Sequence, residues 1–219
     1  MRRAGRRDEV TVVGVTKLVP VERIAEAYRV GLRHFGENRV QEFEDKHRLL
    51  ALPSTIWHMV GHLQSNKAAG ALQLFACIDS VDSLHLAQKL SAASGGRKIP
   101  VLLQVHLGDE PSKHGVEPEQ LVSLAEQVAA LPDLDVQGLM TIPPFLEPAE
   151  RARPYFRRLR ELAEDLDHKQ IPGISLQRLS MGMSHDFEIA IEEGATEIRI
   201  GTALFGPRPG KLRTTDGHG

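Results

Sequence analysis

One cysteine, Cys77, in 219 residues excludes an internal disulfide framework and fits a reducing compartment. Aromatic residues are scarce at 5%. No stretch comes near the roughly 18 uninterrupted apolar residues that a membrane helix needs. Charge of one sign is missing too. The 27 Lys and Arg against 29 Asp and Glu leave a formal net charge of −2, with no general basic footprint for nucleic acid. The basic start, Met1 to Arg7, runs into Asp8-Glu9 with no apolar segment behind it, so no signal peptide is expected. Together these absences predict a cytoplasmic protein without membrane or nucleic-acid partners. What remains is an ordinary globular composition, 41% hydrophobic and 26% charged, long enough to bury a core without a metal or disulfide.

The first strong pattern is Val10-Thr11-Val12-Val13-Gly14-Val15-Thr16, a β-branched run apolar on both faces, as in buried parallel strands. Pro20 then stands at a helix start, and Ile24, Ala25, Ala27 and Tyr28 carry helical spacing up to Gly31. The alternation recurs. Strands are expected at 34–35, 55–59, 75–78, 99–106, 136–140, 176–179 and 196–200. Helices are expected at 40–50, 66–74, 83–93, 118–131, 149–166 and 187–192. Eight strands alternating with helices predict a closed (β/α)8 barrel in one domain, 1–206, followed by a polar tail, 207–219. A doubly wound open sheet is the rival, disfavoured by the count and by the absence of a Gly-x-Gly-x-x-Gly turn after the first strand.

Function in such a barrel collects at the carboxyl ends of the strands. Period-2 alternation puts Thr11, Val13, Val15 and Lys17 on one face, so Lys17 stands at the barrel mouth. It is either a snorkelling lysine or an amine able to form a Schiff base. Glu197 and Arg199 share a face of the eighth strand, with Gly201 and Thr202 following. The amides of Gly201 and Thr202, a short turn at Ala203-Leu204-Phe205, and the loop Ser180-Met181-Gly182-Met183-Ser184 form a candidate phosphate site after strands seven and eight. Ser184 also reads as the N-cap of the next helix. No metal site is expected. His58 and His62 have zinc-like spacing but span a strand end, which would set them roughly 13 Å apart. Gly206-Pro207-Arg208-Pro209-Gly210-Lys211 is too short for a P-loop. Cys77 reads as a core residue.

These residues sit in longer stretches that together resemble one family, the pyridoxal-phosphate homeostasis proteins. They are Val15-Thr16-Lys17, Phe35-Gly36-Glu37-Asn38-Arg39-Val40-Gln41-Glu42, and Trp57-His58-Met59-Val60-Gly61-His62-Leu63-Gln64-Ser65-Asn66-Lys67. Further on come Gly138-Leu139-Met140-Thr141-Ile142-Pro143-Pro144, Leu179-Ser180-Met181-Gly182-Met183-Ser184, and Arg199-Ile200-Gly201-Thr202-Ala203-Leu204-Phe205-Gly206. The resemblance implies a barrel like the N-terminal domain of alanine racemase, with pyridoxal 5'-phosphate as an internal aldimine on Lys17. It implies that Ser184 and the Gly201-Thr202 backbone hold the phosphate, that Arg199 faces the pyridine nitrogen, and that Asn38 lies near the ring edge. The sequence departs from the family in two places. Only nine residues precede Val10, so a covering N-terminal helix is expected to be missing, or the start to be assigned late. The fifth strand ends in His106, where the family more often has asparagine.

Racemisation needs an acid/base group on each face of the substrate Cα. In alanine racemases the second is a tyrosine from a separate β-domain of the partner subunit. Here Tyr28 and Tyr155 fall in helices outside the barrel, so no catalytic pair is expected. An arginine at the ring nitrogen keeps it unprotonated and weakens the electron sink. The expectation is a monomeric carrier or buffer of intracellular vitamin B6. It would exchange with amino acids as external aldimines, and whether it hands cofactor to PLP-dependent enzymes is left open. The alternatives are a small PLP enzyme acting as a slow racemase or lyase, and a cofactor-free Schiff-base aldolase. An absorbance spectrum separates the last from the others.

Overall fold

The computed structural model describes residues 9–108 and 114–207. Eight parallel strands form a closed barrel in chain order: β1 Thr11–Val15, β2 His34–Glu37, β3 Ile56–Met59, β4 Cys77–Val81, β5 Ile99–Gln104, β6 Leu134–Met140, β7 Ile174–Met183 and β8 Glu197–Ile200. Closure comes from β1 against β8, with Val13 opposite Arg199. The helices are α1 Val21–Arg29, α2 Val40–His47, α3 Ala68–Leu74, α4 Leu84–Ala93, α5 Leu121–Ala129, α6 Arg153–Asp167, α7 Phe187–Glu192 and α8 Thr202–Phe205. The expected (β/α)8 barrel is the observed one. Among the described residues, no helix is long and apolar enough to cross a membrane. The expected polar tail lies outside the described residues from 208 onward.

Each strand buries one face against helices, and the scarce aromatics are concentrated there. Phe35 of β2 stacks on Trp57 of β3 at 5.0 Å between centroids, and Phe43 of α2 packs on Trp57 at 4.2 Å and on Phe75 at 5.0 Å. Burying such rings against one another fixes α2 and α3 on the outside of the sheet. Ser83 caps α4 by accepting from the Leu86 amide at 3.4 Å. Arg153 ties α6 to α7 through Glu192 at 2.5 Å and the largely buried Glu193 at 2.9 Å.

Several boundaries differ from the sequence reading, for identifiable reasons. The strand expected at 75–78 lies at Cys77–Val81. The Phe75 amide still belongs to the end of α3, donating to Ala71, and the polar pair Asp79-Ser80 beyond the expected strand is wholly buried. The fifth strand stops at Gln104, and Val105 beyond it makes an isolated bridge to Val116 while its amide still donates to Met140 O at 2.8 Å. The long reading at 118–131 divides into a 3-10 turn at Pro118–Gln120 and α5, and that at 149–166 into a 3-10 turn at Ala149–Ala152 and α6. The seventh strand, expected at 176–179, runs through Ser180-Met181-Gly182-Met183, so that stretch is strand and not loop. Its register slips against β8 between Ser180 and Met183. Gly182 makes the slip feasible: it has φ +91, and a Cβ there would lie 2.5 Å from that of Ala190 on α7.

The lumen is polar. His34 (β2), His58 (β3), Asp79 (β4), Arg178 (β7) and Glu197 (β8) touch one another across non-adjacent strands, which is geometrically open only to inward-pointing side chains. His58 Nδ1 donates to Asp79 Oδ2 at 2.8 Å, and its Nε2 lies 3.0 Å from His34 Nδ1. Arg178 donates to Glu197 at 2.6 Å and lies 3.5 Å from Asp79. The carboxylates and His58 are almost wholly buried, so each needs the others.

Candidate functional site

At the mouth, β1 ends in the turn Thr16-Lys17-Leu18. Leu18 has φ +60, a left-handed conformation that only a firmly held turn imposes on a leucine. What holds it is a buried polar staple. Thr16 Oγ1 donates to Glu37 Oε1 at 2.7 Å, and Lys46 of α2 donates to both Glu37 Oε1 and the Thr16 carbonyl, each at 2.7 Å. Lys17 is half-buried at this turn.

Asn38 stands just past β2, whose Gly36 is in register with Val15, so it neighbours the Lys17 turn. Its backbone is clasped by the next loop: a Cβ on Gly61 would lie 2.5 Å from the Asn38 carbonyl oxygen. Asn38, Gly61 and Lys67 line a cleft of about 460 Å3 that opens beside the mouth.

Arg199 is 3% exposed. It donates from Nη1 to Ser180 Oγ and from Nη2 to the Thr141 carbonyl, both at 2.7 Å. Thr141 in turn donates its hydroxyl to Val105 O at 3.0 Å, linking the ends of β5, β6 and β8. Burial lowers the Arg199 pKa from its ordinary value, with Glu197, Asp79 and Asp186 opposing.

Ser184 is not a helix N-cap. Asp186 occupies that place, its carboxylate accepting from the Met183 amide at 2.6 Å. This frees the Ser184 hydroxyl to reach across to the loop after β8, where it accepts from the Gly201 amide at 3.1 Å and the Ala203 amide at 3.2 Å. The amides that converge on Ser184 are those of Gly201 and Ala203. Thr202 opens α8 with its side chain exposed. A Cβ on Gly201 would lie 3.7 Å from Val15 O, which sets this amide pair beside the strand that leads to Lys17.

All six sequence-predicted site residues thus lie at one end of the barrel, on the adjoining strand ends β7, β8, β1 and β2. Sequence reasoning missed the groups that hold them: Thr16, Glu37 and Lys46 under Lys17, and Ser180 and Thr141 around Arg199. Thr16, Glu37, Thr141 and Ser180 lie within the quoted motifs. Lys46 carries no such signal, because its role exists only once α2 packs on β1.

The histidines separate as expected. His58 is a lumen residue bonded to Asp79, while His62 is on the rim and pairs with Asp82 at 3.1 Å. His58, Asp79 and Glu197 could in principle surround a metal, but the Arg178 guanidinium already stands among them as the neutralising cation. Cys77 is buried, and burial, with Asp79 adding to it, pushes its thiol up to about 12, so it stays protonated.

A closed barrel whose mouth gathers an amine, a buried arginine and a hydroxyl set on two backbone amides is a ligand-binding barrel of the anion-accepting kind. The chain belongs to the alanine racemase N-terminal domain family, whose model matches residues 1–209, and within it to the pyridoxal phosphate homeostasis proteins. The relative of that name from Aquifex aeolicus is 48% identical over 209 residues, covering 94% of this chain and 91% of its own. The one from Pseudomonas aeruginosa is 47% identical over 212 residues, covering 94% and 88%. The solved structure of PipY from Synechococcus elongatus with PLP bound is 42% identical, with a TM-score of 0.85, covering 94% of this chain and 96% of that one. An alanine racemase from Clostridium difficile shares the fold, with a TM-score of 0.69 at 17% identity, covering 96% of this chain and 55% of its own.

Proposed function

We propose that this chain binds pyridoxal 5'-phosphate covalently but reversibly through the Lys17 amine, as a carrier or buffer in vitamin B6 homeostasis. The observation that carries this is the Ser184 hydroxyl resting on the Gly201 and Ala203 amides, beside the strand that ends in Lys17. These donors suit a phosphate, and the amine two residues past Val15 suits an aldehyde on the same ligand. The relatives' names and the PLP-bound PipY structure support the same ligand. When bound, the cofactor supplies a reversible carbonyl and an electron-withdrawing ring. Arg199 would face the ring nitrogen and keep it unprotonated, Asn38 would lie near the ring edge, and Thr202 would help hold the phosphate. The working unit is the single domain 1–206, a cytoplasmic monomer that exchanges with amino acids.

Absorbance of the purified protein, then borohydride reduction and peptide mapping, tests this. A pyridoxyl adduct on the Lys17 peptide is expected. An adduct confined to Lys67 or Lys113 overturns the assignment.

One observation favours a second reading, a slow racemase or lyase. His106, at the end of β5, has its Nδ1 held by Glu117 at 2.8 Å, while its buried Nε2 has no partner among the described residues. Such a dyad is the second base that the tyrosines do not supply. His58 is not a candidate, being 1% exposed and bonded within the lumen. Incubation with L-alanine in deuterated water separates the readings: a spectral shift without Cα deuteration is the carrier, and rapid exchange with inversion is the enzyme.

A further inference from the structure

On the rim of the mouth, three successive loops bring together side chains that take no part in the Lys17, Ser184 and Arg199 contacts, although His62 also lines the cleft beside Asn38. His62 follows β3, Asp82 follows β4, and His114 lies in the loop after β5, just before the Val116 bridge. One nitrogen of each imidazole and one carboxylate oxygen all lie within 4.8 Å of one another. His62 Nδ1 and Asp82 Oδ2 are already 3.1 Å apart. The rings of His62 and His114 lie face to face, 3.5 Å between centroids and 9° from parallel.

We propose that His62, Asp82 and His114 form a site for one divalent transition-metal ion of the zinc class. Two imidazoles and a carboxylate are a donor set that zinc takes in three-protein-ligand sites, with a fourth position left to solvent or an exogenous ligand. A tetrahedral ion with bonds of about 2.0–2.1 Å holds its ligand atoms roughly 3.3 Å apart, so the trio must draw in by about 1.5 Å at most. Rim side chains can do this by rotation about their own bonds. Binding must also turn the rings out of their stack, because a metal lies in the plane of each imidazole it binds. Both rings must offer a lone pair, and His114 is disposed to: burial and then the neighbouring His62 lower its pKa. Unlike the lumen cluster, where Arg178 supplies the cation, this trio joins an imidazole–carboxylate pair to a stacked imidazole. The inference does not rest on the cofactor reading.

The test is titration of the full chain, free of PLP and phosphate, with Zn2+ in competition with a chromophoric chelator. One ion per chain is expected, with affinity falling at least tenfold in His114→Ala and in Asp82→Asn, and unchanged in His168→Ala at the end of α6. Co2+ added to the wild-type chain should shift the ring-proton resonances of His62 and His114, a readout that needs no variant. No stoichiometric Zn2+ binding overturns the site. So does binding that survives both substitutions unchanged, or Co2+ shifts confined to other histidines.

Discussion

Lys46 of α2 donates to the main-chain carbonyl of Thr16, the residue before Lys17, at 2.7 Å. The same ammonium group neutralises the fully buried Glu37, so the turn that presents the Lys17 amine is anchored to a helix thirty residues on and not to the strand alone.

Lys46→Ala should therefore cost on the order of 3 kcal/mol, because it leaves the Glu37 carboxylate buried without its cation. It should also weaken pyridoxal-phosphate binding. The joint change Glu37→Gln with Lys46→Met should recover much of the stability and little of the binding. Urea unfolding and PLP titration of both variants read the two effects separately.

Ser184→Ala combined with Thr202→Ala should weaken PLP far more than unphosphorylated pyridoxal. Each lost hydrogen bond to a charged phosphate is worth about 1.5–3 kcal/mol. Ser184 is expected to carry most of the effect, since its hydroxyl already sits on the amide pair and Thr202 points to solvent. Equal losses for both ligands would show that these residues only support the fold.

The lumen predicts a pH response. Burial disfavours a charge on His58, but Asp79 outweighs it and raises the pKa above the ordinary value near 6.5. A raised pKa in the folded state stabilises it fully below the unfolded value and loses that contribution as pH climbs through the folded one. The urea midpoint should accordingly fall as pH rises from slightly acid to alkaline, and His58→Gln should flatten that slope. Asp79, lowered chiefly by His58 against its burial, adds nothing in this window and loses its contribution only in acid.

Gly182→Ala should destabilise by about 3 kcal/mol, since it meets both a left-handed backbone and the Ala190 side chain 2.5 Å away. Thermal unfolding measures the loss. A neutral result would mean that β7 and α7 separate without cost.

The barrel was legible because its signals are local: β-branched runs, helical spacing and glycine punctuation each fall within a dozen residues. Lys17, Ser184, Arg199, Gly201 and Thr202 were legible because strand ends converge at one rim in this architecture, whereas Asn38 came only from the family resemblance. What the sequence hid is long-range polar pairing. The strand expected at 75–78 stopped short of Asp79 and Ser80, which are its buried continuation, and Ser184 read as a cap when Asp186 fills that place. Nothing near Arg178 signals that it will meet Glu197, nineteen residues away, and His58, at a separation of 120.

That ionic lumen also governs how the chain can change over generations. With His58, Asp79, Arg178 and Glu197 sharing charges, no one of them can be exchanged for an apolar residue without stranding its neighbours, so single steps are closed while a concerted exchange of the whole set is not. A scan of point substitutions would score these four as immutable as any cofactor ligand. Intolerance to mutation in the barrel's interior is thus a record of mutual dependence, and it cannot by itself be taken as the footprint of the ligand at the mouth.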